Sequence, residues 1–437
     1  MGKNMKKVAF RNLGCKVNEY ELEYMQQKMT ESGYEIVPFD TKADIYVVNT
    51  CTVTNIADRK SRQMLHRAKK ENPEAIVVAV GCYVQTDTKG ASADKAVDIA
   101  IGNNHKREIA DIITKYIQEH TNSVCVSDLT APVAYENMLI TKTAEHTRAF
   151  MKIQDGCNQF CSYCAIPLAR GRIRSRMLDD ILQETTALAN NGYQEVVLTG
   201  IHLSSYGLDF HGESYNLVAK ENGYTNEDLL EVIEAVSKIP GIKRIRLGSL
   251  EPRLITEEFL TKLCKIDAIC PHFHLSLQSG CDETLKRMNR KYTTAEFKTA
   301  VNLLRKHFNN PAITTDVIVG FPGETDEEFE TTYNFLKDIK FFEMHVFKYS
   351  RRKNTVADTL PNQVSDSDKD IRSDRLLELD KQLSDAFRES YKGREVEVLF
   401  EELKNGYWVG HSKEYILCKQ KNTDQENPAG KIVKITY

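Results

Sequence analysis

Three cysteines in the middle of the chain have the spacing of a metal-binding loop. Cys157, Cys161 and Cys164 form a C-x-x-x-C-x-x-C pattern, and no further cysteine follows until Cys264. A structural zinc site needs four ligands, and a four-iron cluster held entirely by protein needs four thiolates. Three thiolates therefore leave one metal position open for a substrate or cofactor. Three structural cysteines sharing one loop are the alternative, but the spacing favours a metal.

A second set of cysteines is spread over the N-terminal part of the chain. Cys15, Cys51 and Cys82 each directly follow a short apolar run that is typical of a buried strand. About one strand-helix-strand crossover separates each from the next, so parallel strands would bring the three thiols to one crevice. A single cysteine after a strand is usually a small buried apolar residue. Three in equivalent positions instead predict a second metal site with an open position.

Predicted strands and helices alternate in the part of the chain that positions the N-terminal cysteines. Apolar runs predict strands over 8–12, 45–49, 76–80 and 97–101. Amphipathic stretches predict helices over 19–31, 56–71 and 108–118. This alternation predicts an α/β domain over 1–120 with a doubly wound parallel sheet. Weak periodicity predicts a linker with at most one strand over 121–145.

Larger βα units follow and contain the cysteine loop. Strands are predicted over 150–154, 195–199, 244–248, 272–277, 314–319 and 345–349. Helices are predicted over 178–190, 226–238, 256–265, 294–307 and 326–339. Six such units predict a partial (β/α)6 TIM-type barrel over 146–364, whose active site lies at the carboxyl ends of the strands. The cysteine loop follows the first of these strands.

The C-terminal part changes its pattern. A charged segment over 365–392 predicts one long connecting helix, after which the period becomes two over 395–400, 407–410, 415–418 and 432–436. This predicts a small antiparallel β-barrel over 393–437, a type of module that often binds single-stranded RNA. Tyr407, Trp408 and Tyr415 are candidate RNA contacts, with a place in the core as the alternative.

The overall composition excludes several classes of protein. The 437 residues carry 59 Lys and Arg against 62 Asp and Glu, so a polyanion must bind at local patches. No apolar run approaches the roughly 18 residues of a membrane span, and no signal-peptide core follows the N-terminal lysines. We expect a cytoplasmic protein without membrane contact. Eleven cysteines are too few for a disulfide scaffold in a chain of this length. Those outside both sets are assigned to packing: Cys125, Cys264, Cys270, Cys281 and Cys418.

The cysteine loop and several strand ends resemble those of the radical S-adenosylmethionine enzymes. That family's cluster loop has the same spacing, and Thr199 and Gly200 resemble its motif that receives the methionyl amine. The resemblance implies a 4Fe-4S cluster and S-adenosylmethionine. The implied contacts to S-adenosylmethionine are Thr199, Gly200, Ser249, Glu251, Gln278, Gly320 and Arg174. The alternative for each strand-end residue taken alone is that the turn between strand and helix requires a residue of that type.

The combination of both cysteine sets, the barrel and the C-terminal β module resembles the methylthiotransferases over essentially the whole chain. The resemblance implies that Cys157, Cys161 and Cys164 hold the cluster that cleaves S-adenosylmethionine to a radical. It also implies a second 4Fe-4S cluster on Cys15, Cys51 and Cys82, whose sulfur is methylated and inserted at an unactivated carbon, and a TRAM-like C-terminal module. No side chain is expected to act as a catalytic acid or base. An electron donor such as flavodoxin or ferredoxin is implied.

The substrate is the remaining question, because members of this family modify either a tRNA adenosine beside the anticodon or an aspartate of a ribosomal protein. The segment over 12–18 resembles the subgroup that acts on threonylcarbamoyladenosine. The isopentenyladenosine subgroup tends to have Gln-Met after that cysteine, and the ribosomal-protein subgroup Pro-Lys. Local basic groups also suit RNA phosphates. They are Arg59, Arg62, His66 and Lys69, for which a solvated helix face is the alternative, and Arg170, Arg172, Arg174 and Arg176.

We therefore expect a methylthio group to be added at carbon 2 of threonylcarbamoyladenosine in the tRNA anticodon stem-loop, with no DNA partner. The isopentenyladenosine and ribosomal-protein reactions are alternatives. A radical enzyme that uses the second cluster for electron transfer would need a fourth ligand, which the N-terminal domain lacks in its sequence. The non-enzyme alternative is an RNA-binding protein with structural metal.

Overall fold

The structure is a computed structural model that describes residues 5–120, 123–131, 133–142, 147–211, 226–423 and 427–437. The predicted linker over 121–145, and with it the boundaries near 120 and 146, lie partly outside these residues. Of the helices described, none is long and apolar enough to cross a membrane.

The N-terminal part is a parallel six-stranded sheet with the order β2-β1-β3-β4-β5-β6. Its central strands are buried on both faces, as the continuous apolar runs predict. The edge strand β2 was not predicted, because it has three residues and is partly exposed. The edge strand β6, also of three residues, lies in the segment predicted to be a linker with at most one strand. The strands are β1 Lys7–Asn12, β2 Glu35–Val37, β3 Ile45–Thr50, β4 Ile76–Gly81, β5 Ile99–Ile101 and β6 Ser123–Cys125. The helices are α1 Lys16–Glu31, α2 Asn55–Glu71, α3 Cys82–Thr86, α4 Thr88–Ala93 and α5 Ile109–Glu119.

The central part contains the six predicted strands in chain order, in two parallel groups. One group has the order β10-β9-β7, with β8 antiparallel at the edge, and the other has the order β11-β12-β13. Parallel bridges at Ile245↔Ile269 and Leu250↔Leu275 join them. The strands are β7 Ala149–Asp155, β8 Arg174–Ser175, β9 Glu195–Gly200, β10 Arg244–Leu247, β11 His272–His274, β12 Ala312–Val319 and β13 Glu343–Lys348. The helices are α6 Ile166–Arg170, α7 Leu178–Asn190, α8 Glu227–Ser237, α9 Glu257–Leu263, α10 Asp282–Arg287, α11 Thr294–His307 and α12 Asp326–Ile339.

Alternation along the central strands separates an apolar face from a polar one. Ile245, Phe273 and Val317 belong to the large core that packs against the helices. The adjacent positions, Arg246 and His274 among them, point to the opposite side, because side chains alternate along a strand. The interior of this part of the molecule is therefore lined with polar and charged groups.

The C-terminal part is helix α13 Asp366–Glu389 followed by an antiparallel sheet with the order β16-β15-β14-β17. The strands are β14 Glu395–Lys404, β15 Tyr407–Ser412, β16 Leu417–Lys421 and β17 Ile432–Thr436. Strand β16 begins at Leu417, two residues later than predicted, because Tyr415 has φ +68°, a turn conformation. Tyr415 stacks on His272 and lies under the guanidinium of Arg246. It therefore faces the central part and is not a free RNA contact.

Candidate active site

The cysteine loop begins where β7 ends, at a turn that only glycine can make. Gly156 has φ +68°, and a Cβ atom there would lie 1.8 Å from the carbonyl oxygen of Arg172. Further along the loop, the backbone N–H of Ser162 donates to the carbonyl of Met288 at 3.0 Å. The Asn289 side-chain amide donates to the carbonyl of Phe160 at 2.8 Å. The loop is thus fixed at both its start and its middle.

The three loop thiols open onto one cavity at the carboxyl ends of the central strands. Its lining comprises Cys157, Gln159, Cys161, Tyr163, Cys164, Ile166, Ile201, His202, Ser249, Leu250, Glu251, Ser276, Gln278 and Arg290. Arg290 Nη1 donates to Cys161 Sγ at 3.1 Å. Burial raises the pKa of Cys164 to about 12 and raises that of Cys157 as well. The thiols of Cys157 and Cys164 are therefore protonated at neutral pH when no metal is bound, and a metal must displace their protons.

The structure brings some of the predicted cofactor contacts to this cavity. Ser249, Glu251 and Gln278 line it beside the thiols. Thr199 and Gly200 end the neighbouring strand β9, and the cavity is reached by the two residues that follow them.

Two other predicted contacts lie away from the cavity. Gly320 has φ +70°, lies under Lys369, and donates its N–H to the Glu324 carboxylate at 2.6 Å. The Arg174 guanidinium pairs with Asp155 at 3.2 Å and donates to Asn104 at 3.0 Å, because the buried Asp155 carboxylate requires a cation. Its role at S-adenosylmethionine remains a prediction that this placement does not support.

Two basic residues of the cavity, His202 and Arg290, were not predicted as site residues. Arg290 comes from the segment between α10 and α11, where no strand end marks it. His202 follows Gly200 by two residues and could have been found from that position; its Nε2 lies 3.4 Å from Glu251 Oε2. Although burial opposes ionisation of Glu251, the hydrogen bond and charge of His202, with Arg290, lower its pKa. Glu251 is therefore an anionic acceptor inside the cavity.

The N-terminal cysteines converge as the strand spacing predicts. In the sheet, Asn12 pairs with Asn49, and Thr50 pairs with Gly81, so β1, β3 and β4 end side by side. Cys15, Cys51 and Cys82 follow these ends. Burial, with the neighbouring thiols of Cys82 and Cys15, raises the pKa of Cys51 to about 12. Cys15 is exposed whereas Cys51 and Cys82 are buried, so the thiol set opens on the side of Cys15.

Two asparagines hold this second thiol set. Asn18 Oδ1 accepts from Cys15 Sγ at 3.5 Å, while its side-chain amide donates to the Thr50 carbonyl at 3.1 Å. Asn103 Nδ2 lies 3.4 Å from Cys82 Sγ and donates to the Ala169 carbonyl at 2.7 Å. Because Ala169 belongs to α6, this asparagine also ties the N-terminal thiols to the segment after the cysteine loop.

The donor set of the two thiol sites suits an iron-sulfur cluster. Each site offers three sulfur ligands, and soft thiolates are the ligands that iron-sulfur clusters use. The described residues also contain a set of potential ligands without sulfur, namely His274, Asp316 and His345, whose ligand atoms all lie within 4.8 Å of one another.

A buried ion-pair network connects the two thiol sets. Asp155, which precedes the loop, lies 3.2 Å from Arg170 Nη1, and Arg170 Nη2 donates to Asn18 Oδ1 at 2.9 Å. The Glu21 carboxylate lies at the centre, 2.7 Å from Arg170 and 2.9 Å from Lys152, with Lys106 also bound to it. A continuous chain of contacts therefore runs from the loop to Cys15.

This network corrects the interpretation of the arginine run as an RNA or cofactor surface. Arg170, Arg174 and Arg176 are buried, and Arg176 pairs with Glu184 at 2.6 Å. Arg172 instead lies over the ring of Phe160. The role of this run is mainly structural. Arg170, Arg174 and Arg176 neutralise buried carboxylates where the N-terminal and central parts meet.

Comparison with known proteins gives this arrangement a family. Residues 151–336 match the Radical SAM superfamily, and residues 7–102 match the family described as Uncharacterized protein family UPF0004. The chain is 41% identical over 436 residues to the threonylcarbamoyladenosine tRNA methylthiotransferase MtaB of Bacillus subtilis strain 168, covering 99% of this chain and 93% of that protein. The chain belongs to the radical S-adenosylmethionine methylthiotransferases.

Other members of the methylthiotransferase family match over similar lengths. The MtaB protein of Aquifex aeolicus is 41% identical, covering 90% of this chain and 92% of that protein. The tRNA-2-methylthio-N(6)-dimethylallyladenosine synthase of Moorella thermoacetica is 34% identical, covering 89% and 85%. The radical S-adenosylmethionine methyltransferase TsrM of Kitasatospora setae shares the fold, with a TM-score of 0.55 at 16% identity, covering 81% of this chain and 77% of that one.

Proposed function

We propose that this methylthiotransferase adds a methylthio group to carbon 2 of threonylcarbamoyladenosine in the anticodon stem-loop of tRNA, in the cytoplasm. The observation that carries the proposal is the pair of three-thiol sites joined by one buried network, in a chain 41% identical to MtaB proteins over most of its length. The lower identity to a dimethylallyladenosine synthase favours threonylcarbamoyladenosine over isopentenyladenosine.

The residues present fit two 4Fe-4S clusters and S-adenosylmethionine. Cys157, Cys161 and Cys164 would hold one cluster, and Cys15, Cys51 and Cys82 the other. When bound, these groups supply a radical that abstracts hydrogen from an unactivated carbon and a sulfur that can be transferred. An electron donor such as flavodoxin or ferredoxin would reduce the first cluster.

The protein groups around the first site position and neutralise charge. Glu251, ionised in its cavity, is placed to accept hydrogen bonds from an ammonium or a ribose hydroxyl of S-adenosylmethionine. Arg290 donates to a loop sulfur, which stabilises the negative charge of a thiolate-held cluster. No side chain is required as a general acid or base for this chemistry.

The outer face of the C-terminal sheet is a candidate RNA surface. In the register of β14, β15 and β16, Tyr407 pairs with both Lys404 and Lys421, and Val409 pairs with Lys419. These three lysines and Tyr407 are exposed, while Trp408 and Cys418 point to the core on the other face. Lysines around an exposed aromatic ring suit a single-stranded nucleic acid, through phosphate contacts and base stacking.

We also propose the organisation that these roles require. The N-terminal sulfur-holding domain spans 1–120, the linker 121–145, the partial (β/α)6 barrel 146–364, the connecting helix 365–392 and the TRAM-like RNA-binding module 393–437. The chain order of strands β7 and β9–β13 supports the barrel.

The function is tested by offering the anaerobically reconstituted enzyme three substrates in separate reactions. They are tRNA with threonylcarbamoyladenosine, tRNA with isopentenyladenosine, and a ribosomal protein of the class that the alternative predicts. Mass spectrometry should find the added methylthio group on the first. Product on the second or third alone would refute the proposed substrate and leave the two-cluster arrangement intact.

A further inference from the structure

Lys16 is an exposed lysine at the mouth of the second thiol site. It directly follows Cys15 and is the first residue of α1, a helix that packs against strand β7 of the central part. Its side chain is exposed, and among the described residues it forms no side-chain hydrogen bond and no ion pair. An ammonium group next to the proposed sulfur-holding site is therefore available for a ligand.

The neighbours of Lys16 show which way its side chain is directed. The charged groups that act on its ammonium are Arg246, Arg148 and Asp316, together with the phenol of Tyr415. Arg246 and Asp316 lie on the inward face of the central strands, and Tyr415 faces the same interior. The Lys16 side chain therefore lies near the inward face of the central strands, where the N-terminal and central parts meet.

The acidic groups near this face already have partners. Arg246 pairs with Glu195 at 3.0 Å, and Arg148 pairs with Glu401 at 3.5 Å. Asp316 Oδ2 lies 3.3 Å from His274 Nε2, and its distance to Lys16 exceeds the 4.0 Å of an ion pair. Of these described cations, Lys16 is therefore the one whose ammonium lacks a close counter-charge, and its surroundings suit an anionic group.

We propose that Lys16 binds the carboxylate of the threonyl group on the substrate adenosine, an inference that rests on the proposed function. The threonylcarbamoyl substituent carries a carboxylate, whereas an isopentenyl substituent is apolar. Because Lys16 is adjacent to Cys15, an ion pair at Lys16 would hold the modified base beside the site that supplies sulfur. One residue would then serve both selection of the substituent and placement of the base.

The test uses two anticodon stem-loops that differ in one group. One carries threonylcarbamoyladenosine, and the other carries its carboxamide, which is neutral but similar in shape. Wild-type protein should prefer the carboxylate by roughly ten- to a hundredfold in Kd, the range expected for a charge-assisted hydrogen bond. Lys16→Gln should reduce that preference to about one, and Lys16→Arg should retain most of it. Lys115→Gln, an exposed lysine of α5, is the matched control and should leave the preference unchanged.

The preference is a ratio within each variant, so a general loss of folding or iron cancels from it. The iron content of each variant is measured alongside. If Lys16→Gln loses its cluster, Lys16→Arg still tests the inference, because it should retain most of the preference for the carboxylate. A Lys16→Gln variant that retains the wild-type preference overturns the inference. Wild-type protein that methylthiolates both stem-loops equally well, with equal affinity, also overturns it while the proposed function stands. Methylthiolation of neither stem-loop overturns the proposed function and the inference with it.

Discussion

Glu21 is the residue whose loss should do most damage to the junction between the two thiol sites. Its carboxylate contacts Arg170 at 2.7 Å and Lys152 at 2.9 Å, and also binds Lys106. All four side chains are fully buried. Glu21→Gln keeps the size of the side chain but leaves three buried cations with one carboxylate fewer. Removing one partner of a buried ion pair costs about 3–5 kcal/mol, so the free energy of unfolding should fall by that amount.

The assay is urea denaturation of the full chain, with Glu31→Gln as the control on the same helix. Glu31 pairs with Lys28 at 2.6 Å, but both side chains are partly exposed to solvent, so this change should cost no more than about 1 kcal/mol. Equal free energies of unfolding for the two variants would refute the claim that the network holds the junction together.

The pH dependence of this effect has a definite sign. Burial alone would raise the pKa of Glu21, but Arg170, Lys106 and Lys152 hold it well below the usual 4.5. A carboxyl group with a lowered pKa stabilises the folded state above its unfolded-state pKa and loses that contribution as the pH falls through the folded-state value. The difference between wild type and Glu21→Gln should therefore be constant from about pH 8 to pH 6 and shrink below about pH 4.5. A difference that shrinks between pH 8 and 6 would contradict the ionisation assigned to Glu21.

Three further predictions concern the clusters and the RNA surface. Reconstituted protein should contain roughly eight iron atoms per chain, and replacing Cys157, Cys161 and Cys164 by Ala should lower this to roughly four; iron near eight in that variant would refute the loop assignment. Replacing Cys15, Cys51 and Cys82 by Ala should preserve cleavage of S-adenosylmethionine in assays without RNA but abolish the methylthio product. Undiminished product would contradict the assignment of radical formation and sulfur supply to different clusters. Replacing Lys404, Lys419 and Lys421 by Ala should weaken tRNA binding and flatten its dependence on salt, by about 0.7 in log-log slope for each single-strand phosphate that is no longer neutralised. The same change at Lys238, Lys265 and Lys298, which are exposed lysines of the central part, is the control. Equal effects would rule out a specific surface.

The convergence of the thiols could be predicted because it depends on local order. Each of Cys15, Cys51 and Cys82 follows a strand, and parallel strands one crossover apart end at the same edge. The same reasoning located Ser249, Glu251 and Gln278, since strand ends of a βα repeat meet at one mouth. Arg290 could not be found this way, because it lies between two helices and reaches Cys161 only through the folded loop.

The arginine run and the C-terminal module show where sequence pattern was insufficient. A row of arginines suits phosphate and buried carboxylate equally well, and the partner of Arg170, Glu21, lies far away in the chain. The sequence pattern also does not show that the C-terminal sheet is joined to the central part by buried arginines: Arg244 donates to the Glu397 carbonyl at 2.7 Å, and Arg246 donates to the Lys413 carbonyl at 3.0 Å. Truncation would remove these carbonyl acceptors from two buried guanidinium groups, so RNA binding is better tested by surface substitutions.

The most direct test of the central claim is mass spectrometry of tRNA nucleosides from cells that lack this protein. The methylthio derivative of threonylcarbamoyladenosine should disappear, with threonylcarbamoyladenosine accumulating in its place. Wild-type protein supplied in trans should restore it, and the variant without Cys15, Cys51 and Cys82 should not. An unchanged level of that nucleoside, with loss of the methylthio group from isopentenyladenosine instead, would contradict the account.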